Sequence, residues 1–236
     1  MTKTRKMIGL AAALALASVV DAAAQNPESK AYVDVNLAGQ TQSVSLATSS
    51  VVPLFGEVGT TSTSQTVGKG LLVDVGGGYR IRSNLAIGVA FSAFNRSPIG
   101  TVTVSVPDPI AYGAFTSLSA SPKLTQTEFG THIKVAYLAR LSDKIEVAVS
   151  AGPSLVRLSK DIVSATLDGG IANVTVATQT GSGLGVNAAA DLNYFFTRRL
   201  GGGVFARYVA ASVDLPAASG VKVGGFQGGL GVRLRF

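Results

Sequence analysis

Apolar and polar side chains alternate along most of this chain with a period of two residues, which is the period of a β-strand. The final segment, Phe226–Phe236, shows the pattern most clearly. Its even-numbered positions are apolar residues or glycine, and its odd-numbered positions are glutamine, glycine and arginine. A strand of about ten residues with one apolar face is typical of a transmembrane β-barrel, although a strand of a soluble sandwich has the same alternation.

Seven earlier segments repeat the pattern, so eight strands are predicted. They are Lys30–Ala38, Leu71–Ile81, Leu85–Phe94, Thr127–Arg140, Ile145–Leu155, Leu184–Phe196, Leu200–Val213 and Phe226–Phe236. Tight turns alternate with long loops of about eight to 30 residues, an asymmetry typical of outer-membrane barrels. The sequence therefore predicts an all-β fold, an eight-stranded antiparallel up-and-down transmembrane barrel. Both termini fall at the short-turn end, which is expected to face the periplasm.

Three details refine this prediction. The alternating loop stretches Thr101–Val106 and Asn173–Ala177 are expected to extend hairpins beyond the membrane. Pro153 lies within a predicted strand and cannot donate a ladder hydrogen bond, so we expect a bulge there or a position at the outer rim. Aromatic residues near the tight turns predict a girdle at one membrane interface. The girdle residues are Tyr79, Tyr137, Tyr194, Phe196 and Phe236.

The charged residues of the strands share the phase of the glycines and small polar residues. Arginine or lysine on a lipid face costs about 2–4 kcal/mol at mid-membrane, so this phase is predicted to face inward. The predicted interior network comprises Asp34, Asp74, Arg80, Glu128, His132, Lys134, Arg140, Glu146, Asp191, Arg207 and Arg233. An eight-stranded barrel is only wide enough for side chains to fill it, so these ion pairs are expected to plug the interior. Because desolvation offsets their attraction, they contribute more to specificity than to stability.

Composition supports a barrel over a helical membrane protein. The mean hydropathy is positive, at +0.38, and there are 28 glycines. The apolar residues after the N-terminal segment are spread in alternation rather than gathered into a continuous run of membrane-spanning length. The absence of cysteine excludes disulfides, thiolate metal sites and N-terminal lipidation on cysteine. No cofactor is expected.

The N-terminus has the three parts of a secretory signal peptide. Lys3, Arg5 and Lys6 precede an apolar run over Met7–Val20, and small residues lead up to Gln25. We expect a cleavable signal peptide over residues 1–24 and the barrel domain over residues 25–236, although an uncleaved anchor is the alternative. Cleavage would reduce the formal charge from +7 to +5, because three bases and one acid (Asp21) leave with the peptide.

These features together resemble the small OmpA-like and opacity-type outer-membrane barrels. The resemblance covers the whole mature chain and includes its last residues, Val232-Arg233-Leu234-Arg235-Phe236. In that family a C-terminal phenylalanine on an alternating strand resembles the signal read by the barrel-assembly machinery, which gives Phe236 a role in assembly. The resemblance implies location in the bacterial outer membrane. It also implies roles in envelope integrity, adhesion and immune exposure, or small pores.

Candidate catalytic chemistry is sparse. His132 is the only histidine, and it shares a strand face with Glu128 and Lys134 without a convincing serine and acid partner. We therefore interpret it as part of the interior network, with a lipid-modifying enzyme as a minor alternative. The positive charge does not indicate nucleic acid, because the basic residues are scattered and the chain is exported.

One set of basic residues falls at the loop ends of the predicted strands. These residues are Lys69, Arg96, Lys123, Arg157, Lys160 and Lys222. We predict that they ring the outer rim and contact lipopolysaccharide phosphates through charge-assisted hydrogen bonds, whereas ordinary solvated loop edges are the plainer interpretation.

The leading hypothesis is a non-enzymatic outer-membrane barrel whose surface loops contact a host or environmental ligand. The alternative is a narrow pore for small solutes or ions. A soluble lipocalin-like carrier is a further architectural alternative, but it would need an apolar interior.

Overall fold

The computed structural model describes residues 30–41, 44–67, 69–168, 171–216 and 218–236, so the predicted signal peptide lies outside the described residues. This part of the chain forms β-strands joined by turns. The strands are β1 (Ala31–Gln40), β2 (Val44–Leu54), β3 (Glu57–Val67), β4 (Gly70–Arg82), β5 (Leu85–Arg96), β6 (Gly100–Pro107), β7 (Phe115–Ala120), β8 (Gln126–Arg140), β9 (Ile145–Asp168), β10 (Ile171–Phe195), β11 (Leu200–Leu215) and β12 (Ala218–Arg235). Across these ranges, no helix has the length and apolar character needed to cross a membrane.

Eight of the strands close into a barrel in the order β1-β12-β11-β10-β9-β8-β5-β4, and all neighbouring pairs are antiparallel. The first strand, β1, and the last strand, β12, complete the ring. The Ala31 N–H donates to the Phe236 carbonyl at 3.2 Å, and the Phe236 N–H donates to the Ala31 carbonyl at 2.9 Å. The predicted eight-stranded antiparallel barrel is therefore confirmed.

Successive side chains along each barrel strand point alternately to the outside and to the interior. Leu37 and Leu230, paired across β1 and β12, are 55% and 66% exposed on the outside, whereas Asp74 is 2% exposed on the inside. Of the predicted girdle, Tyr79, Tyr137, Tyr194 and Phe196 are exposed and Phe236 is half-buried. The outer surface is thus apolar, as a surface in contact with acyl chains must be.

Strands β9 and β10 continue far beyond the length that a membrane requires, with 24 and 25 residues. They stay paired without a register shift from Ile145↔Tyr194 up to Asp168↔Ile171. The stretch Asn173–Ala177 lies in this extension, in agreement with the sequence prediction. We call the end of the barrel that carries the long hairpins the upper end.

The other four strands form a separate sheet, which we call the outer sheet, in the order β2-β3-β6-β7. The stretch Thr101–Val106 belongs to β6, which pairs with β3 and β7, so the prediction that it extends a barrel hairpin is wrong. An alternating sequence pattern identifies a strand, but it does not show which other strand pairs with it. The buried residues Val102, Val104 and Val106 form an apolar cluster against which Val163 of β9 packs, and this contact joins the outer sheet to the extended hairpin.

Pro153 produces neither a bulge nor a rim position, so this prediction is also wrong. The β8–β9 pairs His132↔Ser154 and Val135↔Ala151 share one register, and only the pairs between them are missing. The side-chain amide of Asn187, on β10, donates to the carbonyls of Gly152 at 2.9 Å and Pro153 at 3.1 Å. An inward amide therefore satisfies the carbonyls beside the proline, and the strand continues straight.

Asn187→Ala should lower the free energy of unfolding by about 1–3 kcal/mol, because it leaves these interior carbonyls without a donor. The chain has no tryptophan, so unfolding is best followed by heat-modifiable gel migration during urea titration in micelles. Asn95→Ala, at an exposed amide, is the matched control and should change the value by less than about 0.5 kcal/mol. Equal effects of the two substitutions would contradict this role of Asn187.

Candidate functional site

The lower end of the interior, near the chain termini, is an ionic cluster around Glu146. The Glu146 carboxylate lies 2.6 Å from Arg80 and 2.7 Å from Arg235. The Arg235 guanidinium also stacks on Phe195, at 3.3 Å from the ring centre. Arg235 was not included in the predicted network because it lies close to the end of the chain, although its alternation phase is inward.

Arg140 is the exception in the predicted network. Its side chain is 55% exposed, and its Nε atom lies 4.0 Å from the Glu146 carboxylate at the barrel mouth. Its prediction as an enclosed interior residue is wrong, because Arg140 is the last residue of β8 and lies where the wall gives way to the turn.

The middle of the interior holds a buried ion pair surrounded by amides. Arg207 lies 2.8 Å from Asp74, and its Nε donates to the Gln227 side chain at 2.8 Å. Asn36 donates to Asp74 at 2.9 Å. Looser pairs join Lys134 to Asp34 at 4.0 Å and Arg233 to Asp191 at 3.4 Å.

Amide side chains connect this layer to the upper interior. Gln227 donates to Gln40 at 2.8 Å, and Gln40 donates to Glu128 at 3.1 Å. Glu128 also accepts a hydrogen bond from Gln126 at 2.6 Å. The predicted network contains charged residues and His132 but none of these amides, although their inward phase on the strands is a usable signal.

Lys160 lies inside the barrel and not at the rim. It is 0% exposed, and its Nζ atom has no hydrogen-bond partner among the described residues. Its prediction as a lipopolysaccharide contact is therefore wrong. The predicted strand ends at Leu155, whereas β9 continues to Asp168 and keeps even-numbered positions such as Ser154 and Lys160 inward.

His132 is enclosed between two serines. Its Nε2 atom lies 2.9 Å from Ser92 Oγ and its Nδ1 atom lies 2.8 Å from Ser154 Oγ, with the ring 1% exposed. Ser154 on β9 pairs directly with His132, and Ser92 on β5 pairs with Gly130, two residues away, which only the register shows. The Asn187 Nδ2 atom lies 2.9 Å from Ser154 Oγ, so the histidine belongs to the same polar network.

The remaining interior is filled. The cavities enclosed by the interior side chains measure about 40 Å³ beside Lys134 and Asp191 and about 10 Å³ beside His132 and Glu128. Spaces of this size hold at most a few waters. Above them lies a buried apolar cluster of Val156, Leu158, Val209, Val213, Leu215, Val221 and Val223. The upper interior thus combines this apolar cluster with the buried charged residues Glu128 and Lys160.

The other five predicted rim cations are exposed. They are Lys69, Arg96, Lys123, Arg157 and Lys222. Lys69 and Arg96 line one groove on the outer wall, with a volume of about 410 Å³, and the other three do not line it.

The outer sheet presents rows of hydroxyl groups. One row crosses all four strands through the successive pairs of Ser49, Ser62, Thr103 and Ser119. The next row contains Thr60, Ser105 and Ser117, which are also paired in succession. These side chains are exposed or half-buried, and none has a hydrogen bond to the part of the chain that the structure describes. Glu57 is the one charged residue in β2, β3, β6 and β7.

The tip of the outer sheet carries exposed apolar side chains. Ile110 and Tyr112 are 94% and 88% exposed in the turn between β6 and β7. The turn is held by Asp108, whose carboxylate accepts hydrogen bonds from the N–H groups of Ile110 at 2.8 Å and Ala111 at 3.0 Å. These bonds favour the charged carboxylate and hold the pKa of Asp108 below its usual value.

A closed antiparallel barrel with an apolar outer wall and an ionic interior is a transmembrane β-barrel. The family model described as the outer membrane protein beta-barrel domain matches residues 9–233. The chain therefore belongs to this family of bacterial outer-membrane proteins.

Several solved structures resemble the chain at low sequence identity. Neisserial surface protein A is 20% identical, with coverage of 87% of this chain and 97% of that protein and a TM-score of 0.47. OprG from Pseudomonas aeruginosa is 11% identical, with 88% and 96% coverage and a TM-score of 0.45. Ail from Yersinia pestis is 10% identical, with 88% and 99% coverage and a TM-score of 0.41. No curated protein sequence matches the chain.

Asp74→Ala should reduce the free energy of unfolding by about 3–5 kcal/mol, because it leaves the Arg207 guanidinium buried without its counter-ion. The double substitution Asp74→Leu/Arg207→Met should recover most of this loss, since it removes both charges. Urea titration followed by heat-modifiable migration measures the difference. The control is Asp143→Ala, at an exposed turn residue. A double variant no more stable than Asp74→Ala would show that the isolated charge is not the cause.

Proposed function

We propose that this protein is a plugged, non-enzymatic outer-membrane barrel that holds the outer sheet at the cell surface as an adhesion platform. The upper end faces outward, and both termini lie on the periplasmic side. The observation that carries the proposal is the outer sheet itself, which stands on the extended β9 strand and displays hydroxyl rows without a hydrogen-bond partner in the described chain.

The chemistry of the platform favours a neutral, hydroxyl-rich ligand such as a polysaccharide. Strands about 4.8 Å apart present hydroxyls that both donate and accept hydrogen bonds. The four strands carry a single charge, that of Glu57, so they offer little attraction to a sulfated or phosphorylated polymer. The exposed rings of Tyr112 and Phe115 at the tip add apolar surface for sugar rings.

The plugged interior supports a scaffold over a pore. Ion pairs and amides fill the middle layer, and an apolar cluster lies above it. A conducting route would have to displace buried charges that are paired with each other, which is costly.

The environment of His132 supports a non-enzymatic role. Its two ring nitrogens are taken up by Ser92 and Ser154, and the adjoining cavity of about 10 Å³ is far smaller than a ligand site. A lipid substrate therefore has no room to reach the imidazole.

A further proposal concerns Phe236 and the assembly of the barrel. Its backbone pairs with that of Ala31 in the closed barrel, and its side chain is half-buried. We propose that Phe236 is read by the barrel-assembly machinery.

The first test introduces charge into the hydroxyl rows. Ser62→Glu/Thr103→Glu should weaken binding of fluorescein-labelled dextran to protein in nanodiscs by at least tenfold, because two carboxylates replace neutral hydroxyls at paired positions. Ser97→Glu/Ser121→Glu, at exposed positions outside the rows, is the matched control. The adhesion platform is refuted as a polysaccharide site if the wild type binds dextran no better than the row variant, or binds heparin better than dextran.

The second test addresses the pore alternative. Wild-type protein in a planar bilayer should show no stable single-channel openings, because the interior is filled. Arg207→Ala/Asp74→Ala, which empties the middle layer, provides the comparison for an opened lumen. Stable openings of the wild-type protein would favour the narrow pore.

A further inference from the structure

We propose that the free edge of the outer sheet, strand β7, pairs with the same strand of a second copy of this protein that lies in a facing membrane. The proposal rests on the proposed function, because it takes the upper end of the barrel to face outward. It gives a partner to the edge of the outer sheet, whereas the polysaccharide site lies on the face of that sheet.

Strand β7 is the last strand of the outer sheet in the order β2-β3-β6-β7, and no described strand lies beyond it. All six residues of Phe115–Ala120 are exposed. Natural proteins protect sheet edges from pairing with charged residues, proline or bulges, and β7 has none of these. An edge of this kind is a template on which another strand can pair.

The backbone groups on this edge can be assigned from one hydrogen bond. The Asp108 N–H donates to the Ala114 carbonyl at 2.8 Å, so the Ala114 carbonyl points toward β6. Successive residues of an antiparallel strand alternate in this respect, and β6 and β7 pair without a register shift. Phe115, Ser117 and Ser119 therefore turn their N–H and C=O groups away from β6. None of these groups has a partner among the described residues.

One antiparallel register pairs all three of these residues in both copies. It places Ser117 opposite Ser117 of the second copy and Phe115 opposite Ser119 of the second copy. Moving the second copy along by two residues would leave one of the three without a partner. The two copies then offer each other the same surface, which is an isologous contact. On the other face of the sheet, Leu118, now 52% exposed, would pack across Thr116 of the second copy.

Pairing at Ser117 also extends a hydroxyl row across both copies. Thr60, Ser105 and Ser117 are paired in succession within one copy. With Ser117 opposite its counterpart, the row continues through the same three residues in reverse order. Strands β6 and β7 carry no charged residue, so the two edges approach without repulsion. The hydroxyl face stays open in the pair, so a polysaccharide does not compete with the second copy.

The direction of the strands decides where the second copy lies. The hairpin β2–β3 follows β1, and the hairpin β6–β7 follows β5, so both leave the barrel at its upper end. Their tips meet where the Gly113 N–H donates to the Glu57 carboxylate at 2.9 Å, and the sheet packs beside the β9 extension at Val163. Antiparallel pairing reverses the direction from barrel to tip. The two barrels therefore lie at opposite ends of the paired sheet, in two facing membranes.

Cysteine cross-linking tests the register. The protein is placed in nanodiscs at one copy per disc, so that a dimer must join two membranes. The chain has no cysteine, so Ser117→Cys introduces a single thiol. Opposed residues of a hydrogen-bonded pair have Cα atoms about 5.5 Å apart, a separation that a disulfide spans. Mild oxidation should therefore give a covalent dimer on a nonreducing gel.

Ser119→Cys is the matched control for the cross-link. It is an exposed serine of the same strand, but in the proposed register it lies opposite Phe115 of the second copy and far from the other thiol. It should give at least tenfold less dimer. Discs with Ser119→Cys mixed with discs with Phe115→Cys should cross-link to each other.

A second pair of variants tests the backbone contact. Ser117→Pro removes an outward N–H without removing a hydrogen bond to β6, so it should weaken disc association at least tenfold in sedimentation velocity. Ser117→Ala keeps this N–H and should change association less than twofold. Leu118→Lys places two like charges about 7–8 Å apart across the pair. It serves if Ser117→Pro disturbs the outer sheet, as judged by limited proteolysis.

Three outcomes would overturn the proposal. They are wild-type discs that stay single, equal cross-linking of Ser117→Cys and Ser119→Cys, and unchanged association of a Ser117→Pro protein whose sheet is intact. None of these readouts uses dextran. Failure of the polysaccharide site and failure of the β7 pairing are therefore distinguishable.

Discussion

The structure depends on one constraint, which is that every backbone N–H and C=O within hydrocarbon must be paired inside the protein. The pairing of β1 with β12 meets it by joining the first and last strands of the barrel, at Ala31 and Phe236. Closure also fixes which face of every strand points inward, because a slip of one residue would turn each side chain to the opposite face. The apolar exterior and the ionic interior follow from this closure.

Closure forces the polar phase into a space that has little water. Charges there must have partners, and Asp74 with Arg207 shows how ion pairing and amide hydrogen bonds work together. Inward glycines make this packing feasible. A Cβ at Gly76 would lie 2.6 Å from Asp34, and one at Gly130 would lie 2.6 Å from His132, so larger residues would displace the network.

Outside hydrocarbon, water can pair with backbone N–H and C=O groups, so these groups need not all be paired within the protein. The surface residues also differ there. The outer sheet has an apolar side against β9 and a side of hydroxyls, with almost no charge. Between the two regions lies the rim, where Lys69 stands two residues above the exposed apolar residue Leu71. The apolar barrel wall, the rim and the outer sheet thus differ in their surface residues.

The sequence by itself determined the eight barrel strands, their faces and several of their starts, including Leu85, Ile145 and Leu200. These features depend on local alternation, which each segment carries independently. Only the tertiary structure decided that β6 pairs in a separate sheet, that Lys160 is enclosed and that Ser92 and Ser154 flank His132. These features depend on the register, the length of each strand and the choice of pairing partner. Each of these involves residues that are far apart in the sequence, so a local pattern of side chains does not predict them.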